Sequence, residues 1–506
     1  MHHRSYLGGH RSRRIRRGGA QAAFRVITAV LVALVVAGTI PVLTGGYQFL
    51  ILGLSVLSTH LERATVAYPR VSILIPAWNE GAVIGTTIDT LMKLDYPRER
   101  LRIYVIDDAS TDETPSVAIA RAKRWPKNVF HVRRVAGGEG KAHTLNYGMA
   151  QLWRDSWTEA VLIMDADVIY TPSSLRRMAR HLADPNVGAV TAYIKEGSGA
   201  PSYVQRFVTF EYITATGAAR RAQNVLGFLA CLSGGAQLHS RENLLAIGGK
   251  IFDDTLAEDT FTTFYTQLSG RRAIFEPNAV AYAEEPDSLD MLWKQRLRWA
   301  RGNVQITQVF SHLWFRRSAH PTLGSPSMAL LWFSLFLMPV LQIATAIGLL
   351  GLRVVDSELA WAFFRTYWIV AALVYLLVTA ASFAIDFESA RKSWREGILF
   401  PGIISLLVIA YSLVPPLVAP LAEMVPQGVI DVLIVFLYAW TALCMPASWS
   451  ALAFERKGYP RLAKATLYLA GYGPFLCAVT FGAYVREAMG AERTWDKTVK
   501  TGKVTA

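Results

Sequence analysis

Apolar residues cluster very differently in three parts of the chain. From 24 to about 44, and again from 47 to about 59, they run almost unbroken on either side of Gly45-Gly46. From about 66 to 286 they come in short β-rich runs: VSILIP (71–76), RIYVID (102–107), VFHVRRV (129–135), AVLIMD (160–165), VGAVTAY (187–193) and AIFEPNAVAY (273–282). Segments of helical spacing (82–94, 114–124, 141–153, 173–182) separate several of them. Strands alternating with helices predict βαβ units and a mostly parallel, Rossmann-like α/β sheet. After 320, apolar blocks cover roughly 327–351, 366–385, 398–421, 429–449 and 465–484. Each is long enough to cross a bilayer.

The pattern divides the chain into a basic tail (1–23), an N-terminal hairpin of two spans (24–61), an α/β domain (66–286), amphipathic interfacial helices (287–320), a C-terminal transmembrane bundle (327–484) and a tail (485–506). Composition agrees. Hydrophobic residues make up 52% of 506 and charged residues 18%, which excludes an ordinary soluble enzyme. The formal charge of +14 suits anionic lipid and the positive-inside bias, and no nucleic-acid motif accompanies it. Six arginines precede the first apolar run. A signal peptide is disfavoured because a second apolar run follows at once. The positive-inside rule then predicts a cytoplasmic N-terminus and a cytoplasmic α/β domain. Loops 386–396 and 455–464 are rich in Lys and Arg and should face the cytoplasm too. Five full spans would export the tail KTVKTGK against the same rule, unless one block is re-entrant or interfacial. Cys231, Cys444 and Cys477 fit neither a disulfide framework nor a zinc site.

Polar clusters fall at the predicted carboxyl ends of the strands, where such sheets bind ligands. Asp165-Ala166-Asp167 closes an apolar strand, and two such carboxylates can share Mg²⁺ or Mn²⁺ with a phosphate-bearing substrate. The bland alternative is a solvated strand end. In YVIDDASTDET, Asp107 and Asp108 end another strand. A carboxylate there can accept a uracil N–H, or the stretch is only a loop in which Thr111 caps the next helix. In AWNE, Trp78 offers a face to a base. GGEGKAHTLNYG places Lys141 at a helix start behind glycines, as a phosphate cradle would, though without Walker A spacing. Glu258-Asp259 can supply a base for a sugar hydroxyl, or are helix N-terminal acids favoured by the dipole. In QRLRWARG, helical spacing puts Gln295, Arg298 and Trp299 on one face. Arg296 and Arg301 lie off it and are expected to meet lipid phosphates.

Taken in order, VSILIPAWNE, VIDDASTD, GKAHTLNYG, MDADV, AEDT and QRLRW resemble the processive, membrane-embedded family 2 glycosyltransferases, a group that includes cellulose, hyaluronan and poly-N-acetylglucosamine synthases. The likeness covers about residues 70–300, and LWKQRLRWARG is nearest the last group. It implies a cytosolic glycosyltransferase domain of A type and an inverting hexosyltransferase reaction. Pro76, Trp78, Glu80 and Asp108 would frame the nucleoside, and Lys141 would lie near the nucleotide. Asp165 and Asp167 would hold the metal–diphosphate. Asp259, beside Glu258, matches the base of the family's TED motif, although Ala257 stands where that motif has Thr. Gln295, Arg298 and Trp299 would meet the donor and the growing polysaccharide. CLSGGAQLHSRENL has Ser233 where cellulose and hyaluronan synthases often carry a cysteine. The expected product is an extracellular polysaccharide made from UDP-N-acetylglucosamine at the cell membrane, with an accessory membrane or export subunit as a possible partner. Single-sugar transfer to a lipid or polyprenyl phosphate is the alternative.

Overall fold

The computed structural model describes residues 7–55, 66–253, 255–415, 425–492, 502 and 504. Its centre is an eight-stranded sheet in the order β3-β2-β1-β4-β7-β6-β8-β5. The strands are β1 Val71–Ala77, β2 Leu101–Asp107, β3 Val129–Arg133, β4 Ala160–Ile163, β5 Ile169–Tyr170, β6 Val187–Glu196, β7 Gln237–Ser240 and β8 Arg272–Ala283. The half β3-β2-β1-β4 is parallel. β7 then runs antiparallel to both β4 and β6, so the sheet is mixed. All six expected strands are present. β5 and β7 were not expected, because runs of two and four residues are too short to show a period.

Val71, Ile73, Leu74 and Ile75 are fully buried, as a strand covered on both faces must be. Ile84, Ile88 and Leu91, from the helix Gly81–Leu91, pack on one face of the sheet. Leu145, Met149 and Leu152, from Lys141–Leu152, cover the other. This layering leaves the carboxyl ends of β1, β2 and β4 side by side: Ala77 pairs with Asp107, and Met164 N donates to Leu74 O at 3.2 Å.

The N-terminal hairpin gives way to one helix, Leu7–Ser55, which passes straight through Gly45-Gly46. Glycine lowers helix propensity but does not oblige a turn, and Gly46 lets Val374 approach closely. Leu31 and Val35 pack on Gly348 and Gly351 in Met338–Val355, while Phe49 and Leu52 pack on Ala218 and Ala222 of the α/β domain. The C-terminal part of this helix therefore lies against that domain.

Among the described residues, four helices are long and apolar enough to cross a bilayer: Gln21–Leu54, Met338–Val355, Ser357–Ile385 and Gln427–Arg456. The last apolar block is instead a pair, Pro460–Ala470 and Tyr472–Ala488, bent by 97° at Gly471. Arg456, just before the pair, meets Asp290 at 2.7 Å, and Glu487, near its end, meets Arg301 at 2.5 Å. Asp290 and Arg301 lie on one helix, Leu289–Val309, roughly 16 Å apart along its axis. The pair thus leaves and returns to the same helix. Gly502 N then donates to Glu284 Oε2 at 3.0 Å, and Val504 bridges Ser198. Gly502 and Val504 therefore lie against the α/β domain.

Candidate active site

The loops after β1 and β2 are fastened to each other. Asn79 N donates to Ser110 Oγ, Thr111 N to Asn79 Oδ1 and Gly81 N to Asp112 Oδ2. Thr111 is therefore spent on the Asn79 loop and does not cap Thr114–Arg124, where Asp112 Oδ1 accepts from Thr114 N instead. Trp78 stands 45% exposed on this rim. Pro76 is the sixth residue of β1, and Glu80 precedes the helix Gly81–Leu91.

The two aspartates ending β2 divide their roles. Asp107 is fully buried and accepts from Ser110 N, Arg133 and His131. Burial opposes its charge, but these hydrogen bonds and Arg133 hold its carboxyl below the ordinary value. Asp108 pairs with Arg134 and accepts from Gly138 N at 3.0 Å. It latches the glycine loop down rather than standing open. Arg134, which also pairs with Glu139, was not anticipated. Two arginines ending a strand beside an acidic turn were the available signal.

The glycine loop delivers Lys141 to the first turn of its helix. Lys141 Nζ lies 2.6 Å from Asp165 Oδ1, 3.7 Å from Glu258 Oε1 and 3.0 Å from Gly234 O. Burial works against the lysine charge, yet Asp165 and Glu258 outweigh it and raise its pKa. Glu258 is raised by burial, with Asp259 adding to this and Lys141 and Arg298 opposing. Arg298 thus lies within electrostatic reach of the same group. A Cβ on Gly234 would fall 3.2 Å from Asp259 Oδ2 and 3.4 Å from Lys141 Nζ, so that glycine keeps open the space between Lys141 and Asp259. Asp167 is buried and accepts from Glu284 N at 3.3 Å.

The helix Leu289–Val309 forms the wall. Gly302 lies so close to Ala257 that a Cβ there would meet its methyl at 2.6 Å, and Leu256 N donates to Gln305 Oε1. The AED triplet therefore packs against the helix that carries QRLRW. The expectation for Arg296 and Arg301 is overturned. Both are buried, Arg296 against Glu211 and Arg301 against Glu487. The bent pair and the helix Tyr203–Glu211 cover the face assigned to lipid.

Residues 69–302 match the family model described as glycosyltransferase like family 2. This stretch is thus similar to family 2 glycosyltransferase domains. The chain is 30% identical over 251 residues to a probable glycosyltransferase, YdaM, of Bacillus subtilis, covering 49% of this chain and 58% of that one. It is 31% identical over 245 residues to the β-monoglucosyldiacylglycerol synthase of Synechocystis, covering 48% and 50%. It is 30% identical over 238 residues to a poly-β-1,6-N-acetyl-D-glucosamine synthase of Staphylococcus aureus, covering 47% and 55%. The chain spans about half the length of the curated relatives it matches. Among solved structures, the mannosyltransferase PcManGT of Pyrobaculum calidifontis, in complex with GDP-Man and Mn²⁺, shares the fold. Its TM-score is 0.50 at 24% identity, covering 71% of this chain and 98% of that one. The glycosyltransferase domain is thus of A type.

Proposed function

We propose that the protein is an inverting, processive β-glycosyltransferase of the cell membrane. It polymerises a UDP-sugar, UDP-N-acetylglucosamine foremost, and passes the polysaccharide outward through its own helices, with the transferase domain cytoplasmic. The observation that carries this reading is the cluster of Lys141, Asp165 and Glu258 under the QRLRW helix, beside helices apolar enough to span.

Trp78 stacks on the base at the rim. Pro76, Glu80 and Asp108 shape the nucleoside pocket. Lys141 and Arg298 face the diphosphate. Asp165 and Asp167 offer hard carboxylate oxygens at a strand end. Among the described residues no third His, Cys, Asp or Glu joins them, which suits a Mg²⁺ or Mn²⁺ site completed by phosphate oxygens. When bound, that ion neutralises charge on the leaving diphosphate. Asp259 accepts the proton of the acceptor hydroxyl, with Glu258 beside it. The hydroxyl oxygen bonds to the anomeric carbon, and the bond to phosphate breaks with its electron pair leaving on UDP. Trp299 and Gln295 meet the acceptor sugar.

A second reading, transfer of one sugar to a lipid, is favoured by the likeness to the glucosyldiacylglycerol synthase. Cellulose- or hyaluronan-type synthesis differs in donor and in linkage. Radiolabelled UDP-N-acetylglucosamine, UDP-glucose and UDP-glucuronate, each given to the purified membrane protein with diacylglycerol present, separate these. High-molecular-weight product from the first donor supports the proposal. A single labelled glycolipid overturns processivity.

A further inference from the structure

Arg296 sits where neither lipid binding nor contact with substrate explains it. It is 5% exposed. Its Nε and Nη2 reach the two carboxylate oxygens of Glu211 at 3.2 and 2.9 Å, a bidentate fork. Its Nη1 donates to the side-chain oxygen of Gln295. The guanidinium carbon lies 4.2 Å from the centroid of the Trp299 ring, within cation–π range. Trp299 nevertheless keeps 36% of its surface exposed, so the ring is backed from inside and open outside.

The partners of Arg296 are themselves held. Tyr472 Oη donates to Glu211 Oε2 at 2.6 Å. Gln295 Nε2 donates to Glu285 Oε2 at 3.2 Å, and Tyr212 Oη to Glu285 Oε1 at 2.7 Å. Consecutive residues Glu211 and Tyr212 both enter this network where the helix widens into the π-helical turn Tyr212–Ala218, a local form common at functional sites. Four elements thus meet in the network around this guanidinium: the helix ending at Glu211, the segment after β8, the QRLRW helix and the bent pair.

A buried ion pair is a poor source of stability, since apolar side chains of equal volume often hold a fold as well. What it supplies is orientation. We infer that Arg296 is a positioning residue for the acceptor: clamped by Glu211, it fixes the Trp299 ring and the Gln295 amide in the orientation that receives the acceptor sugar. This rests on the reading of Trp299 and Gln295 as acceptor contacts. Lysine cannot replace it, because a point charge cannot bridge two carboxylate oxygens, meet an amide and cover an indole ring at once.

The test uses the full chain in nanodiscs with UDP-N-acetylglucosamine and a β-linked N-acetylglucosamine pentasaccharide. Arg296→Lys and Glu211→Gln should each raise the KM for the pentasaccharide about tenfold and leave the KM for the donor within about twofold. Tyr472→Phe, which removes one support of Glu211, should show a smaller rise in the same constant. An unchanged acceptor KM in Arg296→Lys and Glu211→Gln overturns the inference. So does a parallel rise in both constants with a lowered Tm, the mark of a merely structural role. A wild-type chain idle on this pair counts against the proposed function instead, and the same variants are then compared on whichever donor and acceptor the wild type does use.

Discussion

Lys141 is the hinge between two carboxylate groups that come from distant parts of the chain: it lies 2.6 Å from Asp165, at the end of β4, and 3.7 Å from Glu258, at the start of another helix. Without it, Asp165, Glu258 and Asp259 would lose the cation that offsets their charge. Lys141→Met should lower kcat by about 10²–10³, the cost of removing one preorganised charge from a developing anion. Steady-state UDP release measures this, and turnover within threefold of wild type would refute it.

Asp259 and Asp167 should fail in different ways. Asp259→Asn keeps shape but cannot take a proton, so UDP binding should persist while transfer falls about 10²–10⁴-fold. Asp167→Ala should instead weaken the response of donor binding to added Mg²⁺ or Mn²⁺. Titration calorimetry with UDP, with and without EDTA, distinguishes the two. Wild-type transfer by Asp259→Asn would move the base elsewhere.

His239 ties stability to pH. It is fully buried on β7 between Gln237 and Asn243, and burial pushes its pKa down to about 3. Its folded value lies below the unfolded one, so it contributes stability that is complete above pH 6.5 and is lost as pH falls towards 3. Between pH 6.5 and 5 the loss is about 2 kcal/mol, at about 1.4 kcal/mol per pH unit. The drop in Tm over that interval should shrink in His239→Gln. An identical drop in both proteins would exclude His239 as its source.

Gly302 is where the QRLRW helix touches the AED triplet. Gly302→Val puts methyls where Ala257 stands and should push the helix off, costing about 1–3 kcal/mol of stability and most of the activity. Thermal melting and UDP release should fall together. Full activity would show that the wall can retreat.

Arg301 is buried against Glu487, and its Nη1 and Nη2 donate to the carbonyls of Glu492 and Ala491. Arg301→Met leaves that carboxylate uncompensated, so Tm should fall by an amount corresponding to about 3–5 kcal/mol. The double variant Arg301→Met, Glu487→Gln should recover part of it. A single variant as stable as wild type would contradict the burial described.

The positions of several candidate residues were legible because acids that follow apolar runs fall at the carboxyl ends of a sheet's strands. Asp165, Asp167 and Asp108 follow apolar runs and fall at adjacent strand ends of one sheet, and Lys141 opens its helix as expected. Helical spacing correctly made neighbours of Gln295 and Trp299. It failed for Arg296 and Arg301, because periodicity shows which side of a helix a residue occupies and not what covers that side. Their cover comes from Glu211 and Glu487, one 85 residues before and the other 186 after. The N-terminal hairpin failed for a related reason: Gly45-Gly46 marks a break by composition, but Gly46 serves close packing against Val374.

The bent pair that leaves and rejoins the QRLRW helix makes the protein hard to dismember. Gln305 holds Leu256 N with its oxygen and Glu487 with its amide, so one side chain spans the approach to the proposed base and the last apolar helix. A catalytic fragment cut free at residue 286 would lose the wall behind Glu258 and Asp259, together with everything that props that wall. For this architecture, solubilising the transferase means rebuilding its floor rather than trimming an anchor.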